Sequence, residues 1–222
     1  YYASTKYVAD AAKVLGFEDA SEYSKRAEDI KNVILEEYFT ATGRLSVDTQ
    51  TGYLTALKFE VYKDKQKLIN GLKNRIRQDL NRLKGGFVGS TIMNCVLAEN
   101  GMIEEAYDFL FYEGFPGWLY AVNLGATTIW ERWNSVLPDG LLSGTEMNSL
   151  NHYSYGSIAE FLYRYAAGIT PLEPGFKKVR IAPYPEIRLG HMECSYDSVN
   201  GTYVSNWEIQ KDGTLHFHFE IP

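Results

Sequence analysis

The apolar residues of this 222-residue chain change their period once, near Pro174, and that single change orders the architecture: helices first, strands after. Before it, Tyr7, Val8, Ala11, Ala12, Val14 and Leu15 recur at helical spacing and stop at Gly16, a residue that accepts the left-handed conformation ending many helices. A second helix is predicted from Asp19, with Glu22 as capping-box partner and Tyr23, Ala27, Ile30, Ile34 and Tyr38 on one face, ending near Phe39. After the turn ATGRLS, Tyr53, Leu54, Leu57 and Val61 predict a third helix. Asp64 caps a fourth that presents Leu68, Leu72, Ile76, Leu80 and Leu83. Two more helices flank Gly101, over 90–100 and 102–112, and a last one is expected over 152–167, closed by Gly168 and Pro171. The short links are those of antiparallel helical hairpins.

Beyond Pro174 the period is two. Val179 and Ile181, then Tyr203, then Leu215, Phe217, Phe219 and Ile221 read as strand positions, the last four alternating with His216, His218 and Glu220. Lys211-Asp212-Gly213 supplies a hairpin turn. The reading is a helical region over 1–170 and a small antiparallel β-domain over 171–222.

Charge and composition remove several function classes. A net charge of −6 gives no basis for nucleic-acid binding, which calls for a basic excess on one face. The basic run on the fourth helix, Lys63 to Lys84, flanks an apolar stripe without interleaved aromatics and reads as a solvated face. No run approaches the length of a membrane span. Cys95 and Cys194 stand far apart and show neither a disulfide framework nor zinc spacing. The chain opens YYASTK without Met, so it reads as part of something longer. The 17 Tyr and 4 Trp suit stacking on sugar rings, although an aromatic-rich core has the same composition.

One stretch concentrates unusual chemistry. In the Gly/Pro/Trp/Asn-rich region 114–151, the run PGWLYAVNLGATTIWERWNS places Glu131 between Trp130 and Trp133. Indole walls lower local polarity around a carboxylate and can tune it for acid or base duty. On these grounds alone Glu131 reads equally as a catalytic carboxylate and as an ion-pair partner of Arg132. A second run, MNSLNHYSYGSIAEFLYRYAAGI, carries Asn148, Asn151, His152, Tyr153 and Tyr155, which are sugar-hydroxyl partners by type. Helix capping by Ser149 or Asn151 beside a satisfied core histidine is the more ordinary explanation of that run from the residues alone. His216, His218 and Glu220 share a strand face, but alternation against a buried apolar face produces the same pattern, and no metal is assigned. There is no nucleophile elbow and no phosphate loop.

These two runs, with GGFVGSTIMNCVLAENGMIEEAYDFL before them and PGFKKVRIAPYP after, strongly resemble the bacterial α-L-rhamnosidase family. The likeness extends to YYASTKYVADAAKVLG and TQTGYLTAL and so covers essentially the whole chain. The resemblance implies a mainly α fold, an (α/α)6 barrel followed by an antiparallel β-domain, and hydrolysis of terminal α-L-rhamnosides with inversion. It implies that Glu131 is the general base, that His152 lines the rhamnose subsite, and that Trp118, Trp130 and Trp133 belong to the same pocket wall. No cofactor is implied, and the expected partner is a rhamnoside. An inverting glycosidase also needs a protonated carboxyl about 6.5–9.5 Å from the base. The family's acid lies in an acidic, Trp-containing motif upstream, and no such motif occurs here. Only about seven helices are read before residue 169, where six hairpins need about twelve, so the barrel is expected to be incomplete. Two rivals stand beside this reading: another glycosidase or phosphorylase on the same toroid, and a non-catalytic carbohydrate-binding or scaffold module.

Overall fold

Gly16 ends the first helix as its conformational freedom requires. α1 (Tyr2–Leu15) stops where Gly16 adopts φ 73°, and the Phe17 N–H returns to the Ala12 carbonyl at 2.9 Å. α2 (Ala20–Tyr38) forms a hairpin with α1. Asp19 does stand at its N-cap, but at φ −80° and ψ 0° rather than in extended geometry, and its carboxylate caps nothing. Small residues meet between the two helices: Ala9, Ala12 and Ala27 are buried, whereas Tyr7, Val14 and Leu15 from the predicted face remain exposed. This computed structural model describes residues 1–144 and 146–222.

The second hairpin, α3 (Gln50–Lys58) and α4 (Lys65–Gln78), has both N-termini capped by side chains. Thr49 Oγ1 accepts from Gly52 N–H at 3.0 Å, and Asp64 Oδ1 from Lys67 N–H at 3.1 Å. Gly71 lets α4 lie on the Tyr53 ring, since a Cβ there would fall 2.5 Å from the ring. Leu54, Leu68, Leu72 and Ile76 fill the interface. Leu80 does not join them: α4 ends at Gln78, Leu80 takes φ 57°, and its side chain is 77% exposed. The turn that replaces the last helical residues is held from inside by Gln50. Its fully buried amide donates to Asp79 Oδ2 and the Arg82 carbonyl, both at 2.8 Å, and accepts from Lys84 N–H at 2.9 Å.

Residues Tyr1–Gly89 form one compact unit and Ser90–Pro222 another. α5 (Gly86–Glu99) runs into the second unit, where it is followed by α6 (Ile103–Leu110) and α7 (Trp118–Asn123). Met93, Leu97, Met102 and Phe161 are its fully buried centre, with the Tyr107 ring set edge-on to Phe161 at 5.2 Å. The single helix expected over 152–167 is three pieces: a 3-10 turn at Ser154–Ser157, α8 (Ile158–Phe161), and a π-turn at Leu162–Ala166. Eight α-helices occur among the described residues, all before the first strand.

Two antiparallel sheets follow. β1 (Ile169–Pro171) pairs with β2 (Val179–Ile181). β5 (Gly201–Ile209) is the centre of the second sheet, pairing with β3 (His191–Met192), β4 (Ser195–Ser198) and β6 (Leu215–Glu220). The Lys211-Asp212-Gly213 turn joins β5 to β6 as predicted, closed by Gln210 N–H to the Thr214 carbonyl at 2.8 Å. β5 buries Tyr203, Ser205 and Trp207, and β6 continues that face with Phe219 and Phe217 opposite Ser205 and Trp207. The face is not covered along β6, however. Leu215, Phe217, Phe219 and Ile221 are 43–68% exposed.

Candidate active site

The region between α6 and α8 builds the candidate site. Gly117 precedes α7 where a Cβ would fall 2.8 Å from the Tyr112 carbonyl, so only glycine admits this approach, and it delivers Trp118 as the first helical residue. The Trp118 indole N–H donates to the Tyr155 carbonyl at 2.9 Å, and its ring meets Trp133 edge-on at 5.0 Å. Trp133 in turn stacks on the Tyr155 ring, centroids 3.7 Å apart. Burial raises the Tyr155 phenol above its ordinary value. Trp118, Trp130, Trp133 and Tyr155 line an apolar cleft of about 390 Å³, together with Ile129 and Arg132. The three predicted tryptophans are therefore brought together. Trp118 and Trp130 are also largely buried, 7% exposed each, so they serve the core as well as the cleft.

Glu131 is not among the residues lining that cleft. It is half-buried and faces the return segment, where Ser149 N–H donates to its Oε2 at 2.7 Å while Glu131 N–H donates to the Ser149 carbonyl at 2.8 Å. The alternative of an ion pair with Arg132 is not realised: the Arg132 guanidinium donates to the Glu146 carbonyl at 2.6 Å, and no ion pair involves Glu131 among the described residues. One carboxylate oxygen is thus anchored by a main-chain donor, and the other has no hydrogen-bond partner among the described residues.

His152 lies on the same return segment. Its N–H donates to the Ile129 carbonyl at 2.8 Å, its Nδ1 accepts from Ser154 N–H at 3.3 Å, and its ring stacks on Tyr153 at 5.3 Å. It precedes the 3-10 turn rather than opening a helix, and it is half-buried rather than a core residue. Together with Thr128 Oγ1, which donates to the Leu150 carbonyl, these bonds lace 128–131 to 149–152 and set Glu131 and His152 on two adjoining segments. Neither Ser149 nor Asn151 caps the turn; the Ser149 hydroxyl instead bonds the Asn151 main chain at 3.1 Å in both directions.

The structure adds Ser149 as the anchor of Glu131 and Tyr155 as a stacked wall of the cleft. Ser149 acts through its peptide N–H, a group every residue but proline carries, so its side chain gave no signal. Tyr155 stood out only by type. In the sheet, His218 Nε2 lies 3.0 Å from Glu220 Oε1, and no group of three or more metal-ligating side chains is assembled among the described residues. No helix of the described residues is long and apolar enough to cross a membrane.

Comparison with known proteins gives a consistent picture. The model of the bacterial alpha-L-rhamnosidase 6 hairpin glycosidase domain matches residues 1–166, and that of the bacterial alpha-L-rhamnosidase C-terminal domain matches residues 168–222. The chain is 38% identical to an alpha-L-rhamnosidase of Formosa agariphila over 99% of its own length and 24% of the relative's. It is 36% identical to one of Alteromonas sp., over 90% and 22%. Among solved structures, Streptomyces avermitilis alpha-L-rhamnosidase complexed with L-rhamnose superposes with a TM-score of 0.92 at 32% identity, covering 100% of this chain and 22% of that one. The alpha-L-rhamnosidase of Aspergillus terreus superposes with 0.91 at 30% identity, over 100% and 26%. The chain spans about a quarter of the length of these relatives.

Proposed function

Because the chain belongs to the bacterial α-L-rhamnosidase family, we propose that the protein it forms part of hydrolyses terminal α-L-rhamnosyl residues by an inverting mechanism with Glu131 as general base. The observation that carries this reading is the state of the Glu131 carboxylate. Oε2 is fixed by the Ser149 N–H at 2.7 Å, and among the described residues no ion pair neutralises the group. A base that activates water must be held in place and keep a free oxygen for the water's proton, and this arrangement meets both needs.

In this reading the Trp118, Trp130 and Trp133 cluster supplies an apolar wall beside Glu131, and His152, on the adjoining stretch of chain, offers its ring to sugar hydroxyls. The general acid comes from outside these 222 residues. In water attack from the face opposite the leaving group, Glu131 takes the water's proton as the new C1–O bond forms. The acid, supplied by residues outside this chain, gives its proton to the departing glycosidic oxygen. The chain alone therefore lacks half of the reaction and is expected to turn over no substrate.

The test is kinetic and stereochemical. In the full-length enzyme, Glu131→Gln is expected to lower kcat on an aryl α-L-rhamnoside by about 10²–10⁴-fold, the range lost with a general base, with little change in KM. Proton NMR of the early product is expected to show the β-anomer. An α-anomer formed first would remove the inverting assignment, and undiminished kcat in Glu131→Gln would remove Glu131 as base.

A further inference from the structure

Glu131 closes the neck of a loop that runs from 131 to 149, and the residue beside that neck is tied to both arms of the loop's interior. Inside it, Val136 and Leu142 bridge as a short hairpin, with Ser143 N–H donating to the Ser135 carbonyl at 3.0 Å and Leu137 N–H to the Leu141 carbonyl at 2.8 Å. Asn148 spans the base of this hairpin. Its Nδ2 donates one hydrogen to the Ser135 carbonyl at 3.2 Å and the other to the Gly144 carbonyl at 3.0 Å. The next main-chain N–H, that of Ser149, is the one that holds Glu131 Oε2. Ser135 itself is fully buried and locked to Arg132 by bonds through its hydroxyl in both directions, 3.0 and 3.1 Å.

We propose that Asn148 is a positioning residue for Glu131, its carboxamide fixing the 148–149 peptide so that the Ser149 N–H presents the carboxylate in its working orientation. This rests on Glu131 being the base. A shift of about 1 Å at a reacting group can cost on the order of 10²-fold in rate, and the only main-chain donor on this carboxylate, among the described residues, is one bond removed from Asn148.

Asn148 is a poor choice for stability alone. Its Oδ1 is buried without a hydrogen-bond partner among the described residues, an expense that a smaller side chain would not carry. Removing the side chain deletes that orphan acceptor, and the Ser135 carbonyl keeps the Ser143 N–H. The main structural loss is the donor to the Gly144 carbonyl, while the 148–149 peptide loses both side-chain ties that hold it to the hairpin. A residue with this balance acts on catalysis more than on folding.

The experiment uses the full-length enzyme with an aryl α-L-rhamnoside. Asn148→Ala is expected to lower kcat about 10- to 100-fold, with KM within about threefold and the melting temperature within about 3 °C. Asn148→Ser retains one donor and is expected to lose less, about three- to tenfold; it gives the same test if the alanine variant does not fold. In the Glu131→Gln background, Asn148→Ala is expected to lower kcat no further, because a residue that acts only through the base has nothing left to position. Losses that multiply in the double variant, or unchanged kcat in both single Asn148 variants, would overturn the proposal. Unchanged kcat in Glu131→Gln alone would instead show that the base is another group, and so separates the failure of that reading from the failure of this one.

Discussion

Glu131 and Ser149 hold each other by two hydrogen bonds, one from main chain to main chain and one from the Ser149 N–H to the Glu131 carboxylate. The same side chain is therefore assigned chemistry and loop closure, and the two can be separated by substitution. A glutamine at 131 keeps an oxygen able to accept from Ser149, so the loop neck survives while the proposed base is lost. Alanine removes both. Glu131→Gln is expected to unfold in urea within about 1 kcal/mol of the native protein, since a neutral acceptor replaces the charged one, whereas Glu131→Ala loses about 1.5–3 kcal/mol, the net worth of a hydrogen bond to a charged group. Equal losses in the two variants would show that the carboxylate bond contributes nothing to holding the loop.

Gln50 offers a second separation, here between size and polarity. Leucine nearly matches its volume, yet Gln50→Leu strands the Lys84 N–H and the Arg82 carbonyl and removes a donor from Asp79. The expected cost is about 2–4 kcal/mol, from one or two buried polar groups left unpaired at about 1–3 kcal/mol each. The measurement is the urea midpoint at constant slope. A cost under about 0.5 kcal/mol would mean that water replaces the amide.

How much of this was legible in the sequence depends on which groups carry each feature. Gly16 and Asp64 announce helix ends because their side chains, or the lack of one, perform the local act, whereas the Thr49 cap of α3 emerges only in the structure. Leu80 matched the apolar spacing of α4 but lies beyond its end, since spacing reports a face and not where a buried amide such as Gln50 will pull the chain into a turn. Alternation along β6 identified the side shared with Trp207, but it carries no information on whether anything covers Phe217 and Phe219.

The site divides in the same way. The indoles of Trp118, Trp130 and Trp133 were visible as an aromatic cluster and do meet in one cleft. Glu131 was visible as a carboxylate between indoles, yet its side chain faces Ser149 instead of the cleft, a placement decided by main-chain bonds 18 residues away in sequence. Such bonds have no residue signature.

Acid sensitivity follows from one corner of the second unit. Glu186 Oε1 accepts from Arg188 Nε at 2.7 Å and from the Arg188 N–H at 3.1 Å, and Arg188 Nη1 also pairs with Asp108 at 2.8 Å. The Arg188 side chain holds the Glu186 carboxyl below its ordinary value of 4.5. A carboxyl depressed in the folded state stabilises the fold above the unfolded value, and the contribution is lost as pH falls through the folded value. Melting temperatures measured from about pH 6 down to about pH 3 are therefore expected to fall less steeply in Glu186→Gln than in the native protein, with a difference near neutrality of about 1 kcal/mol or less. Parallel curves would exclude Glu186 as a contributor.

The last prediction concerns how the helices hand over to the strands. The π-turn at Leu162–Ala166 leaves carbonyls at its end without helical partners. β5 supplies the donors: Trp207 Nε1 bonds the Ala166 carbonyl at 2.8 Å and Ser205 Oγ the Ala167 carbonyl at 2.6 Å, both from fully or nearly fully buried side chains. Gly168 follows because a Cβ there would collide with the backbone of Ala182 and Pro183. The sheet is thus the C-terminal cap of the helix, and Trp207→Phe, which keeps an aromatic ring but deletes the donor, is expected to cost about 1–3 kcal/mol by leaving a buried carbonyl unpaired. Ser205→Ala is expected to cost a similar amount. Because the two carbonyls belong to adjacent residues of one turn, the double variant should depart from the sum of the single losses by at least about 0.5 kcal/mol. Strict additivity in urea denaturation would show that each side chain serves its own carbonyl and that the turn is held by other means.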